Sequence, residues 1–166
     1  MPEGSDTPGG PLQAEHLALL KGLLSRQRVL SLAVVVDGEP VIGLLPFACS
    51  PDFSALIVHA SRLARHTRGL RDGAPFDALV HASESPDLDP LQIPRATLQG
   101  RVVALPDEGT EVEAARTAYL ERLPSAEVVL ALGDFRFFRL EIERGRLVAG
   151  FAQAASITPE TLRQLR

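Results

Sequence analysis

The sequence has no tryptophan, one cysteine and one tyrosine, and aromatic residues make up only 5% of its 166 residues. The single thiol, Cys49, excludes an internal disulfide and a zinc-binding thiolate cluster. No apolar run reaches the ~18–20 residues of a membrane-spanning helix, and the N-terminus lacks the basic start and apolar stretch of a secretory signal. The formal net charge of −4 argues against nucleic acid as a main partner. We therefore expect a cytoplasmic protein with neither membrane nor nucleic acid among its partners.

Histidines are also few, and His16, His59, His66 and His81 lack the spacing of metal ligands. We expect structural or surface roles for them and no metal site. The chain is long enough for one domain with a real core. Its Gly- and Pro-rich residues 1–11 are predicted to form a flexible tail, residues 12–155 the domain, and residues 156–166 a short C-terminal helix.

Hydrophobic periodicity predicts long strands and few helices. We predict helices over 12–28, 63–71 and 107–123, and a terminal helix that starts at Thr158. Asp37-Gly38 and Arg144-Gly145 are predicted hairpin turns, and the proline-rich segment 83–94 is predicted to be a loop, either a lid or a dimer contact. The predicted strands are Val29–Val36, Pro40–Phe47, Ala55–His59, Phe76–His81, Arg95–Leu105, Phe135–Glu143 and Arg146–Phe151.

This order predicts a mainly β (α+β) fold, a barrel of about six to seven mostly antiparallel strands with flanking helices. No Gly-rich dinucleotide fingerprint, P-loop or nucleophile-elbow serine occurs. The sequence therefore disfavours a Rossmann enzyme, a nucleoside triphosphatase and an α/β-hydrolase.

The run from Ser61 to Leu70 combines two hydroxyls, a histidine and three arginines where a strand is predicted to meet a helix. Free amides and the positive end of the helix dipole favour anions at such a junction, so the run is a candidate phosphate site. The plain alternative is that Ser61 caps an ordinary helix whose arginines face solvent.

Several segments together resemble the FMN-binding split barrel of the pyridoxamine 5′-phosphate oxidase-like superfamily, in particular its haem-utilisation-related branch. The resemblance covers about residues 19–154, and it depends on the order of the motifs more than on any one of them. The segments are Gly43–Phe47, Ser61–Arg68, Pro94–Gly100, Ala118–Pro124, Gly133–Leu140 and Gly150–Phe151.

The resemblance implies a split-barrel domain and a homodimer with FMN at the interface between two subunits. It assigns the FMN phosphate to Ser61, Arg62, His66 and Thr67, since a phosphate dianion accepts hydrogen bonds from hydroxyls, a guanidinium and amides. Further implied FMN contacts are the main chain along the flavin ring and two residues of a later strand: Leu44, Leu45, Pro46, Arg95 and Thr97.

Two features depart from the branch. Gly69 stands where an Asn is common, which weakens one phosphate-side contact. Ala149 and Ala152 stand in an ending that is usually richer in glycine, where close backbone approach needs no side chain. The haem-degrading relatives use a C-terminal histidine, whereas this chain has none after His81, and an Arg-Leu-x-Pro ending typical of pyridoxamine phosphate oxidation is also missing.

Two functions follow from the resemblance. The first is an FMN-dependent oxidoreductase that passes electrons between a nicotinamide or deazaflavin donor and a small acceptor. Because the flavin supplies the chemistry, no catalytic side chain is predicted. The alternative is a non-catalytic flavin- or haem-binding dimer with a role in haem utilisation or storage.

Overall fold

Seven antiparallel strands form one sheet in the computed structural model, which describes residues 12–130, 132–151 and 153–166. The predicted N-terminal tail, residues 1–11, and Ala152 lie outside the described residues. The strands are β1 (Val29–Val36), β2 (Glu39–Cys49), β3 (Ala55–Ser61), β4 (Pro75–His81), β5 (Arg95–Ala104), β6 (Phe135–Gly150) and β7 (Gln153–Ile157). The α-helices are α1 (Ala14–Arg26), α2 (Thr110–Arg122), α3 (Glu127–Leu130) and α4 (Pro159–Arg163), and short 3₁₀ helices span Arg65–Gly69, Pro90–Gln92 and Pro124–Ala126.

The strand order is β3-β2-β1-β4-β5-β6-β7, and a further pairing of β3 with β6 closes six of the strands into a barrel. The closure is uneven. β2 pairs with β3 only from Phe47 to Cys49, whereas β2 pairs with β1 along the whole of β1. The two strands are therefore unpaired on the N-terminal side of Phe47, which leaves a split in the barrel wall. This arrangement confirms the predicted split-barrel α+β fold.

The β1–β2 hairpin turns at the predicted dipeptide. Asp37 and Gly38 have φ values of 55° and 82°, and a type I′ turn requires a positive φ at both central positions. Val36 therefore pairs directly with Glu39.

The predicted turn at Arg144-Gly145 is wrong, because β6 continues through both residues to Gly150. Gly145 marks a close approach of two backbones instead: a Cβ there would lie 2.4 Å from the carbonyl oxygen of Thr97. The first half of β6 pairs with β3 and its last part with β7, while β5 follows it on the other side. β6 is thus the longest strand, and it joins the barrel to β7.

Two buried clusters hold the fold together. The barrel interior is filled by inward-facing side chains such as Phe47 and Leu98, and leucines of α1 and the C-terminal segment close it. A second cluster, which includes Ile57, Tyr119 and Phe137, lies where α2 packs on the outside of β3 and β6. By contrast, the outer face of β1 and β2 exposes large apolar side chains, namely Val29, Val35, Ile42 and Leu44.

Within the ranges that the structure describes, no helix combines the length and the hydropathy needed to cross a membrane. The same residues contain no group of three or more His, Cys, Asp or Glu side chains arranged to hold a metal ion.

Candidate functional site

The Ser61–Leu70 run begins at the last residue of β3 and continues into the 3₁₀ helix Arg65–Gly69. This helix has five residues, so it is shorter than the helix predicted over 63–71 and carries a smaller dipole. Any affinity for an anion must therefore come mainly from side chains and from the first free amides of the turn.

Ser61 and Arg62 both face acidic partners. The Ser61 hydroxyl donates to Asp134 Oδ2 at 2.6 Å and accepts from the Leu63 amide. Arg62 donates its amide to the Asp134 carbonyl, and its guanidinium lies 3.8 Å from Asp107 Oδ1. Since the Arg62 side chain is 58% exposed, this ion pair is weak and can exchange for another anion.

His66 and Thr67 point towards the barrel instead. A Cβ on Gly43 of β2 would lie 2.6 Å from His66 Nδ1, so the imidazole rests directly on the β2 backbone. Burial lowers the pKa of His66 below its usual value. The Thr67 hydroxyl is buried and has no hydrogen-bond partner among the described residues, which costs free energy unless a further group accepts or donates there.

Gly69 fits this packing for a steric reason. A Cβ at this position would lie 2.7 Å from Val34 Cβ and 3.0 Å from the Val35 carbonyl oxygen. The 3₁₀ helix can approach β1 this closely only without a side chain at residue 69. The departure from the branch is therefore part of how this loop packs on the barrel.

We expect Gly69→Asn, which restores the residue common in the branch, to lower the free energy of unfolding by about 1–3 kcal/mol because β1 must shift. Urea unfolding followed by circular dichroism measures the change. Gly133→Asn is the matched control, since a Cβ there has no heavy atom within 4 Å. Equal stability of the two variants would contradict the packing argument.

Leu44 and Thr97 lie in one cross-strand row on the outer face of the sheet. Leu44 pairs with Ser31 of β1, Ser31 with Leu79 of β4, and Leu79 with Thr97 of β5. Leu44 is 69% exposed, whereas Leu45 is buried in the core. Leu45 can therefore offer a ligand on this face only its backbone, as the resemblance implies for this strand.

Arg95 and Thr97 make local contacts on β5. The Arg95 guanidinium donates to the Ile93 carbonyl at 3.1 Å, and the Thr97 hydroxyl is 3.4 Å from the Arg146 carbonyl oxygen. The structure thus brings the 3₁₀ loop beside β2 through His66 and Gly43, and it places Thr97 on the same face as Leu44. Arg95 is the first residue of β5, two positions before Thr97.

An aromatic cluster that the sequence did not predict surrounds His59 of β3. Its imidazole centroid is 4.4 Å from that of Phe137, 5.0 Å from Phe135 and 6.0 Å from Tyr119. Burial lowers the pKa of His59 to about 4, Arg116 lowers it further, and Asp134 opposes the shift. The histidine within an otherwise apolar strand was the only sequence signal for this cluster.

The donors near the 3₁₀ loop fit a phosphate group by type: two hydroxyls, an imidazole and a guanidinium. The unpartnered Thr67 hydroxyl is the observation that favours an additional polar group at this point. Ser61 and Arg62 would exchange their carboxylate partners for phosphate oxygens, and Thr67 would need to rotate its side chain. The loop therefore suits a phosphate after local rearrangement.

Comparisons with known proteins agree with the fold. The chain resembles a haem-binding protein of Mycobacterium smegmatis with a TM-score of 0.79 and 26% identity, over 93% of this chain and 62% of that chain. It therefore spans less than two thirds of that relative's length. Another solved structure is 31% identical, with a TM-score of 0.75, and the match covers 91% of this chain and 97% of that chain.

A pyridoxinephosphate oxidase family protein of Clostridium acetobutylicum shares the fold, with a TM-score of 0.66 and 11% identity over 91% of this chain and 99% of that chain. None of the curated proteins matches by sequence. The predicted resemblance to the split-barrel superfamily is confirmed. The family model described as CREG, beta-barrel matches residues 52–163, and the chain therefore belongs to the CREG β-barrel family.

Proposed function

We propose that this protein is an FMN-binding homodimer and an FMN-dependent oxidoreductase acting on a small molecule. One observation carries the proposal: the donor-rich 3₁₀ loop, whose Thr67 hydroxyl is buried without a hydrogen-bond partner among the described residues, packs through His66 on Gly43 of β2. The next residue of this strand, Leu44, is exposed on its other face. FMN combines a planar, largely apolar ring with a phosphate dianion. The exposed apolar side chains of β2 suit the ring, and the donors of the adjoining loop suit the phosphate.

Four residues are proposed to hold the phosphate: Ser61, Arg62, His66 and Thr67. Arg62 supplies the charge, because His66 has a lowered pKa and is neutral at pH 7 unless an anion binds beside it. Thr67 gains the partner that its hydroxyl lacks. The hydroxyl of Ser61 completes the set when it leaves Asp134.

The backbone of Leu44, Leu45 and Pro46 is proposed to lie along the flavin ring, with Arg95 and Thr97 as further contacts. Bound flavin would supply hydride and electron transfer. The chain's own residues bind and orient it, and Arg95 adds positive charge that stabilises a negatively charged ring. The electron donor in this proposal is a nicotinamide or deazaflavin, and the acceptor is a small molecule.

The second subunit is proposed to cover the apolar face of β1 and β2. Ile42 is 74% exposed and Leu44 69% exposed on this face, with Val29 and Val35 beside them. Contiguous large apolar side chains on a surface mark an interface, and a two-fold symmetric dimer buries the same face of both copies. Light scattering of the purified protein should therefore give the mass of two chains.

The test compares FMN with riboflavin, which lacks the phosphate. We expect purified protein to carry a yellow chromophore and to bind FMN at least about tenfold more tightly than riboflavin, because charge-assisted hydrogen bonds hold the phosphate. The double variant Arg62→Ala/Thr67→Ala should lose this preference and bind both ligands equally. Fluorescence titration and thermal shift measure the two affinities.

The matched control is Arg26→Ala/Thr117→Ala, which removes an arginine and a threonine from exposed positions of α1 and α2. It should keep the FMN preference. No binding of either flavin by the wild-type protein would overturn the proposal. A preference that survives in Arg62→Ala/Thr67→Ala would mean that the phosphate binds elsewhere.

Haem binding is the second candidate, because the Mycobacterium smegmatis relative at 26% identity is described as a haem-binding protein. Haem titration followed by absorbance, with and without a reductant, tests it separately. A Soret band that saturates at one haem per chain, in protein that takes up no flavin, would favour the alternative of a non-catalytic haem-binding dimer.

A further inference from the structure

A cavity of about 400 Å³ lies between the split in the barrel wall and the segment that follows α2. β2 and β3 contribute Pro46 and His59 to its walls, and β6 contributes Phe135. The 3₁₀ helix Pro124–Ala126 and α3 cover the other side. The remaining lining residues are Arg28, Val29, Tyr119, Leu123, Ser125, Ala126 and Val129.

Two polar side chains in this cavity have no hydrogen-bond partner among the described residues. His59 is 8% exposed and Tyr119 3% exposed, and both side chains pack against aromatic rings. In the described chain, the side-chain polar atoms that are both fully buried and without a hydrogen-bond partner belong to Thr67 and Arg122. The polar atoms of His59 and Tyr119 are therefore not fully buried. The imidazole nitrogens and the phenol hydroxyl therefore retain contact with the cavity that both residues line.

Because no side chain or backbone group of the described residues hydrogen-bonds to them, these polar atoms are free to bind a ligand in the cavity. The pair is complementary to one hydroxyl. The imidazole of His59 is neutral at pH 7 because its pKa is about 4, so it offers an acceptor nitrogen. The Tyr119 hydroxyl stays protonated, because burial raises its pKa to about 12, and it offers a donor.

The walls around the pair select an aromatic ring. Phe135 stacks near His59, and Val129, Leu123 and Pro46 supply the remaining apolar surface. Preformed apolar cavities of smaller volume bind benzene-sized molecules. The only charged lining residue in the described chain is Arg28, an exposed side chain on the residue before β1.

We propose that this cavity binds an uncharged aromatic molecule of the phenol class, whose hydroxyl donates to His59 and accepts from Tyr119. The inference goes beyond the proposed flavin site and does not depend on it, because it uses a different set of side chains. Pro46 borders both regions, so a molecule in the cavity would lie beside the strand proposed to carry the flavin ring.

The test uses p-cresol and toluene, which differ by the hydroxyl alone, on the full chain. We expect the wild-type protein to bind p-cresol about five- to tenfold more tightly than toluene, as measured by calorimetry. His59→Phe and Tyr119→Phe keep the rings and remove the polar atoms. Each should weaken p-cresol binding several-fold and leave toluene binding unchanged, and ¹⁵N shifts of the His59 imidazole should respond to p-cresol only.

Val129→Trp fills the cavity and should weaken the binding of both p-cresol and toluene, which would show that they bind there. Ser83→Trp, on the exposed loop outside the cavity, is the control for adding an indole and should bind as wild type. Equal affinity of the wild-type protein for p-cresol and toluene, or undiminished p-cresol binding in His59→Phe and Tyr119→Phe, would overturn the proposal. Neither result bears on FMN, whose test uses other variants.

Discussion

We expect Gly100→Ala to lower the free energy of unfolding by about 3 kcal/mol or more, one of the largest effects open to a single methyl group in this chain. A Cβ at residue 100 would lie 1.8 Å from the Glu141 carbonyl oxygen and 3.0 Å from the Glu143 amide nitrogen. The β5–β6 pairing shifts its register at Gln99/Gly100, so two backbones occupy the space where the methyl group would be. Urea unfolding of the purified variant measures the loss.

Gly22→Ala is the control, because a Cβ there meets no heavy atom within 4 Å and the residue lies inside α1. Alanine has a higher helix propensity than glycine, so the free energy of unfolding of this variant should rise by about 0.5–1 kcal/mol. The same Gly→Ala substitution should thus lower the free energy of unfolding at residue 100 and raise it at residue 22. A Gly100→Ala protein as stable as wild type would show that the close approach of β5 and β6 is not a constraint.

We expect the second large effect on the free energy of unfolding when the pH is lowered, and we assign it to His59. Its pKa is about 4 in the folded protein against an ordinary value of 6.5. Between these values the unfolded chain binds a proton that the folded chain does not, so the free energy of unfolding falls as the pH falls. The loss should reach about 3 kcal/mol at pH 4 and vanish above about pH 7.

The measurement is urea unfolding at several pH values between 4 and 7.5. His59→Phe should remove most of the dependence. The part that remains comes from His66, whose pKa burial also lowers, and near pH 4–5 from Glu160, whose pKa is lowered above all by its hydrogen bond with Arg163. Asp52 adds its own loss only at lower pH, because its pKa is lowered to about 2, above all by the Ser50 hydroxyl. His81→Phe, at an exposed position, controls for the loss of one imidazole, and an unchanged pH dependence in His59→Phe would contradict the assignment.

Local signals allowed much of the barrel to be predicted. The Asp37-Gly38 turn follows from the backbone angles that a type I′ turn demands, and the bounds of β1 follow from its β-branched run. Gly145 misled the prediction, because a glycine within an apolar pattern marks either a turn or a close backbone approach. Only the neighbouring strand, through the Thr97 carbonyl, decides between the two.

The candidate site was harder to predict for the same reason. The Ser61–Thr67 donors are contiguous, so the sequence places them together, but it does not show that His66 turns onto Gly43 or that Ser61 donates to Asp134. The His59 cluster was missed entirely. Its members come from β3, α2 and β6, and they meet only when the barrel closes.

The closure of the barrel also sets an order of events during synthesis. Leu56 of β3 pairs with Leu140 of β6, and residues between Ala55 and Ala60 are buried along the whole strand. At translation rates of about 5–20 residues per second, the nascent β3 waits on the order of 5–15 seconds for its partner to be made. During that interval one edge of an apolar strand has no hydrogen-bond partner. We therefore expect a chain that stalls before β6 to bind chaperones and to aggregate.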